Sequence, residues 1–484
     1  MPSPKQLSTV SFFALVITFV ILIVASVHDA QADDPPTNAA GWWKSAWKSR
    51  VEVRLPEKPQ RFLRVAIPDG ARPAALRCLL TGRDVPLEHW VQSMQMTPPV
   101  RILASREVPY RFPRMVRASN GHLLLFYNVG ASQSSHHPRY SLAAMRESTD
   151  GGKTWSPQRQ LWQEEEGYSV FNLLPYRNSS GRILLWTSRY QYSVKPHIRH
   201  PGLWTYTEDH GQTFAELSRF DASRERSSYY MTCVSPVSDG LLGGMATFGP
   251  SGVGKCYTEI WHSSDDGRTW SVRSRLTQPD ENLGNEVALL ETKPGTILCL
   301  LRDRHYRETY RIESSDGGRT WAPREKITQD LGCVLQRPVF TRFDSKTILL
   351  SGRDHEQRQT VLYLSRDNAQ SFAERHVVDS FQRQGEGGYT TTVLTGPRKV
   401  LMAWYTDGGS NPLKPDIKLA TITVADQPQW LWLRLPEKLH AAATLHVYYD
   451  NETSNLAESR GQAMLHPHPW TAAQLGQPEK IGEP

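Results

Sequence analysis

The 484-residue sequence predicts an all-β fold, a six-bladed β-propeller, inserted in or flanked by a small β-sandwich. Three observations lead there. An octapeptide occurs five times at intervals of 51 to 59 residues, a sixth repeat lacks it but keeps the rest of the repeat pattern, and no long apolar stretch of 3.6-residue period occurs after residue 30. A chain this long does not suit one ordinary compact core unless the architecture repeats. Gly and Pro, at 33 each, are spread along the chain, as many short strands joined by turns require.

The octapeptide runs from Ser148 to Trp155 around Asp150, Gly152 and Thr154. It returns as Thr207–Phe214, Ser263–Trp270 and Ser314–Trp321, and in worn form as Ser365–Phe372. Its aspartates, Asp150, Asp209, Asp265, Asp316 and Asp367, belong to turn chemistry. An Asp side chain bonds backbone two or more residues on, Gly takes the positive φ, and the aromatic ring tucks under the turn. These carboxylates are assigned to folding rather than catalysis. A period of 50–60 residues with about four strands each describes a propeller blade, and six blades run from about Pro109 to Val424.

Repeats four, five and six stack on their second strands, which begin at Thr296, Thr347 and Lys399. Six residues on lie Arg302, Arg353 and Tyr405; sixteen residues before those lie Glu286, Arg337 and Tyr389. Repeat two places Asn172 at the same position, and repeat one places Phe112, next to Arg111. Such residues begin or end the two innermost strands and crowd one end of the axis. Glu, Arg and Tyr there suit a functional site, because buried charges need partners. A ring of ion pairs locking the blades together is the competing structural reading.

The ends of the chain read differently. Lys5, an apolar run from Val10 to Ala25 and the Ala30-Gln31-Ala32 triplet form a signal-peptide pattern over residues 1–32. An uncleaved membrane anchor is the alternative, and both readings place the rest outside the cytoplasm, secreted or periplasmic. Residues 42–93 and 428–455 carry short alternating runs that suit strands, and 456–484 a loose Pro-, His- and Gln-rich tail. Together the two flanks look similar to a β-domain found beside secreted glycan-active modules, which the propeller interrupts between residues 105 and 425. Five cysteines leave at least one free thiol or an intermolecular bond; Cys233 and Cys256 share a repeat and are a candidate pair. Their spacing suits no metal site. The charge balance, 56 − 49 = +7, favours anionic partners such as acidic sugars, or simply solubility, and an exported chain without a basic cluster argues against nucleic acid.

With these residues in place, the chain resembles the sialidase (neuraminidase) superfamily, whose Asp-box (BNR repeat) the octapeptide matches. Tyr110-Arg111-Phe112-Pro113 resembles its Tyr/Phe-Arg-Ile-Pro motif, and the likeness covers roughly residues 105–425. The resemblance implies that three arginines clamp a sugar carboxylate, for which a guanidinium fork is well shaped. Arg111 and Arg302 match two of them; the third is Arg353 by register or Arg358 by its spacing before Thr360. Tyr389 resembles the nucleophile and Glu286 the carboxylate that draws its proton, which a phenol requires. The family's acidic proton donor has no counterpart, since no Asp or Glu occurs between Gly121 and Arg146. His136 and His137 occupy that loop and are the candidate donors.

The leading expectation is therefore an exo-α-sialidase-like hydrolase acting on terminal acidic sugars of a glycan or glycoconjugate, with no cofactor and no metal. Two alternatives stand beside it. One is a polysaccharide lyase using Tyr, His and Arg on uronate-containing glycans. The other is a propeller that binds acidic glycans without catalysis.

Overall fold

The computed structural model describes residues 47–54, 62–66, 77–80, 89–104, 108–130, 141–162, 167–191, 198–220, 227–250, 256–372, 374–382, 387–407, 415–426, 430–434 and 444–451. They are almost entirely β-strand; a single short helix, Thr328–Leu331, occurs among them. Six antiparallel sheets follow one another along the chain. The first runs from the inner strand Tyr110–Arg117 through Leu123–Gly130 and Ser141–Ser148 to Arg159–Gln160. The inner strands of the next five begin at Tyr168, Ser227, Val287, Leu335 and Thr390. Each inner strand packs on that of the next blade, and the sixth, Thr390–Gly396, packs back on Tyr110–Arg117, which closes the ring.

Second strands such as Leu123–Gly130 and Ile348–Asp354 are buried at every position. A strand covered on both faces reads as a continuous apolar run, and here the adjoining blades are the cover. Leu124 and Phe126 of blade one pack with Val170 and Leu185 of blade two, and Leu184 and Trp186 of blade two with Met231 and Trp261 of blade three. The core thus lies between blades rather than at the axis.

The Asp-boxes close the turns after the third strands. Asp150 Oδ1 accepts from the backbone of Lys153 and Thr154 at 3.0 and 2.9 Å, and Oδ2 from the Thr154 hydroxyl at 2.6 Å. Asp265 and Asp316 repeat the pattern. The turns also join blades: Arg273 of blade three donates to Gly317 O of the next box at 2.8 Å, and Arg311 of blade four to Ala369 O at 2.7 Å.

Blade six is completed from the other end of the chain. Its third strand, Asp416–Val424, pairs with Met94–Met96 and Val100–Leu103. The propeller therefore starts earlier than Pro109, because an open outer edge is covered by the residues that precede blade one. Ser93, at that junction, donates its amide and its hydroxyl to the buried Glu374 of blade five. Beyond the propeller, Trp47–Arg54 and Arg77–Leu80 flank Thr444–Asn451 in one three-stranded sheet, and Phe62–Ala66 and His89–Gln92 flank Trp430–Arg434 in another. Cys233 and Cys256 are not bridged. Cys233 lies on the inner strand of blade three and Cys256 packs with Tyr230, Ala246 and Phe248, so sharing a repeat does not bring their sulfurs together.

Candidate functional site

The site forms where the inner strands begin and the second strands end. In blades one, two and five the inner strand is interrupted there by a bulge, between Arg111 and Arg114, Phe171 and Leu174, and Gln336 and Val339. The bulged residues Phe112, Asn172 and Arg337 take positive φ of 55°, 61° and 51°. Few non-glycine residues do so, and a bulge of this kind re-aims a side chain. In blades four and six the equivalent residues, Glu286 and Tyr389, lie one position before the strand. Gly388, at φ 80°, turns the chain into Tyr389 and donates its amide to Tyr405 O at 2.9 Å.

These positions bring five sequence-predicted residues into one buried network. Arg302 Nη1 donates to Glu286 Oε2 at 2.5 Å and to the Tyr389 hydroxyl at 3.4 Å. Arg337 Nη1 donates to Glu286 Oε1 at 2.9 Å, and its Nη2 donates to Asn172 Oδ1. Arg353 Nη2 donates to the Tyr389 hydroxyl at 3.1 Å, and its Nη1 to Gly387 O at 3.1 Å. Gln336 Oε1 accepts from Arg353 Nε at 3.0 Å and again from Nη2, which fixes the plane of the fork. The Tyr389 ring lies 5.8 Å from Phe112 and 6.0 Å from Tyr405 between centroids.

Electrostatics follow from these contacts. Burial pushes the Glu286 carboxyl up, but Arg302 and Arg337 outweigh it and hold the group down at about 2. Three guanidiniums and one carboxylate leave the network with surplus positive charge in a low-dielectric setting, and such a cluster is suited to an anion. Arg302 Nε and Arg337 Nε are buried with no hydrogen-bond partner among the described residues.

Arg111 is buried, one residue before Phe112, at the site end of the inner strand of blade one. Arg358 stands apart: it lies in the turn after Ile348–Asp354, and its Nη1 donates to Gln382 O at 2.6 Å. The register thus brings Arg353, and not Arg358, against Tyr389. His136 and His137 lie outside the described residues. The sequence reading missed Arg114, which is buried and donates to Thr390 O at 3.1 Å; burial, then Arg337, push its guanidinium down. It also missed Gln336, although a Gln immediately before the bulged Arg337 is visible in the sequence. The Asp-boxes lie at the opposite end of the blades, after the third strands, which separates the folding carboxylates from this network.

Comparisons with known proteins agree with this architecture. Residues 163–400 match the family described as BNR repeat-like domain. A sialidase from Bacteroides fragilis (strain YCH46) is 22% identical over 248 residues, 46% of this chain and 44% of that protein, so the chain matches less than half the length of this relative. Among solved structures, a Dyadobacter fermentans protein of unknown function superposes with a TM-score of 0.60 at 17% identity, over 69% of this chain and all of that one. The Hadza microbial sialidase Hz136 superposes with a TM-score of 0.52 at 17% identity, over 64% of this chain and 65% of its own. At these identities the likeness is one of fold.

Proposed function

We propose that this chain, a sialidase-like BNR-repeat β-propeller, is an exo-acting glycoside hydrolase that removes terminal acidic sugars from glycans by a tyrosine mechanism. The observation that carries the reading is the placement of the Tyr389 hydroxyl within reach of two buried guanidiniums, Arg302 at 3.4 Å and Arg353 at 3.1 Å. Arg302 and Arg353, with Arg111, hold the sugar carboxylate, for which their planar forks supply paired donors. The same two arginines stabilise the negative charge on the phenol oxygen once its proton leaves. Glu286 shares Arg302 with Tyr389 and is the base that the family resemblance implies for that proton, taking it once direct contact with the phenol is made.

The Tyr389 oxygen then attacks the anomeric carbon as the bond to the leaving oxygen breaks, and the leaving oxygen takes a proton from His136 or His137. Water releases the sugar in a second step, so configuration is retained. A tyrosine oxygen, rather than a carboxylate, suits an anomeric centre that itself carries a carboxylate. The leader pattern supports export to an extracytoplasmic glycan.

Turnover of a fluorogenic α-sialoside by the full chain, beside its Tyr389→Phe variant, tests the reading. Release of the fluorophore by the wild type and its loss in the variant, with an unchanged melting temperature, is the expected result. Equal turnover by both removes the tyrosine mechanism. No turnover, with an unsaturated product from a uronate polymer, replaces hydrolysis by elimination.

A further inference from the structure

Two side chains that no repeat places together stand beside the arginines. Arg302 ends one second strand and Arg353 stands one residue before the end of the equivalent one, and each is followed by a buried aspartate, Asp303 and Asp354. Each aspartate folds the loop that follows. Asp303 Oδ1 accepts the His305 amide at 2.9 Å, and Asp354 Oδ1 accepts the Gln357 amide at 3.0 Å. The two loops then meet: Tyr306 from blade four and His355 from blade five stack with centroids 4.8 Å apart and planes 11° from parallel. The guanidinium carbon of Arg302 lies 4.3 Å from the Tyr306 centroid, which ties the stack to the site.

Both residues are unusual for packing alone. Tyr306 is 43% exposed and holds a φ of 59°, a conformation that a bulky residue adopts only when its surroundings impose it. His355 is half-buried, and its Nδ1 is buried without a hydrogen-bond partner among the described residues. Burial, then Arg353 and Arg302, push the imidazole down to about 4, so the ring is neutral at neutral pH. A buried nitrogen without a partner is better a lone pair than an N–H, which leaves the proton on Nε2.

We propose that Tyr306 and His355 form the sugar-recognition wall of the site. The exposed edge of the Tyr306 ring, which His355 and Arg302 hold in place by its faces, packs on the sugar, and His355 Nε2–H donates to a hydroxyl or amide oxygen of it. This rests on the acidic-sugar reading above and adds the half of the ligand that the arginines do not address. A wall of an uncharged donor and an aromatic edge beside a cationic clamp sorts the sugar end for end, with carboxylate at the arginines and neutral groups at the wall. Specificity among acidic sugars then resides in these two loops.

The test is equilibrium binding of free N-acetylneuraminic acid and of glucuronic acid to the full chain, followed by calorimetry and by the His355 ring resonances. One sugar is expected to bind and to shift the His355 signals. Tyr306→Ala and His355→Gln are each expected to weaken it about tenfold, the scale of one lost contact, while Tyr306→Phe and the Asp-box control Arg319→Ala stay within about twofold. Wild-type affinity in both wall variants, or unmoved His355 signals on saturation, overturns the wall and leaves the acidic-sugar reading standing. A wild type that binds neither sugar removes both.

Discussion

Arg353 meets Tyr389 in two ways at once. Its Nη2 donates to the phenol oxygen at 3.1 Å, and its guanidinium carbon lies 4.2 Å from the ring centroid. A single cation thus faces the tyrosine both as a hydrogen-bond donor and as a partner for the π-system. That double contact needs a flat, forked group whose other nitrogens are held by Gln336 and Gly387.

Arg353→Lys follows directly. Lysine is a point charge and does not reproduce donation to Gln336, Gly387 and Tyr389 together. Turnover of an α-sialoside is expected to fall by about 10²-fold or more, as when one donor to a developing negative charge is removed. The melting temperature should move little, because the positive charge stays. Steady-state kinetics and a thermal melt check both halves, and turnover within threefold of wild type removes Arg353 from the clamp.

Gly388 sets the approach of these two residues. A Cβ there would lie 2.8 Å from Arg353 Cγ and 2.9 Å from its Cβ, at a φ of 80°. Gly388→Ala is therefore expected to lose about 1–2 kcal/mol from the left-handed backbone alone. It should also displace Arg353 and depress turnover more than its stability loss explains. Denaturant unfolding and kinetics on the same sample separate the two effects.

Glu286 is the counter-ion of Arg302 and Arg337. Glu286→Gln leaves both guanidiniums buried without it, and a broken buried pair is expected to cost about 3–5 kcal/mol. Adding Arg337→Met removes one orphaned charge and should restore part of the loss, although the double variant stays inactive. If Glu286→Gln unfolds at the same denaturant concentration as wild type, the pair carries no stabilising role.

How much of this was legible in the sequence depends on how local each feature is. The Asp-box is a turn whose acceptor, donors and glycine lie within a few residues, so five copies disclosed blade number and phase. The same phase stacked Glu286, Arg337 and Tyr389, and Asn172 and Phe112 with them, because axial positions recur once per blade. Three contacts carry no such period. The strand Met94–Met96 has no motif of its own, and its place in blade six follows only from where the ring closes. Arg358 matched by distance along the chain, but the turn that holds it sends its side chain to Gln382 O. The Tyr306–His355 stack likewise joins two loops through space, and no spacing announces it.

The last prediction concerns acid. The Thr154 and Thr320 hydroxyls, foremost among their partners, hold Asp150 and Asp316 well below the usual carboxylate range. Asp265 is held at about 2 against a burial effect that raises it, and Glu286 likewise. For each, the folded value lies below the unfolded value of roughly 4, so the contribution is complete above about pH 4 and is lost as pH falls toward the folded value. His355 works in an earlier window. Its folded value of about 4 lies below its unfolded value, so between roughly pH 6.5 and 4 the unfolded chain takes up the proton and gains on the folded one. Melting temperature against pH is therefore expected to show a shallow decline starting near 6.5 and a steep one below 4. His355→Gln should reduce the first, leaving the share of His200, whose imidazole burial and Arg189 also push down, without touching the second. Asp316→Asn should lower the curve at neutral pH and converge on wild type only as pH falls toward the folded value, well below the usual carboxylate range, where the wild-type carboxyl finally loses its charge. A His355→Gln curve parallel to wild type from pH 7 to 4 would show that the imidazole is not held neutral by its burial and the arginines beside it.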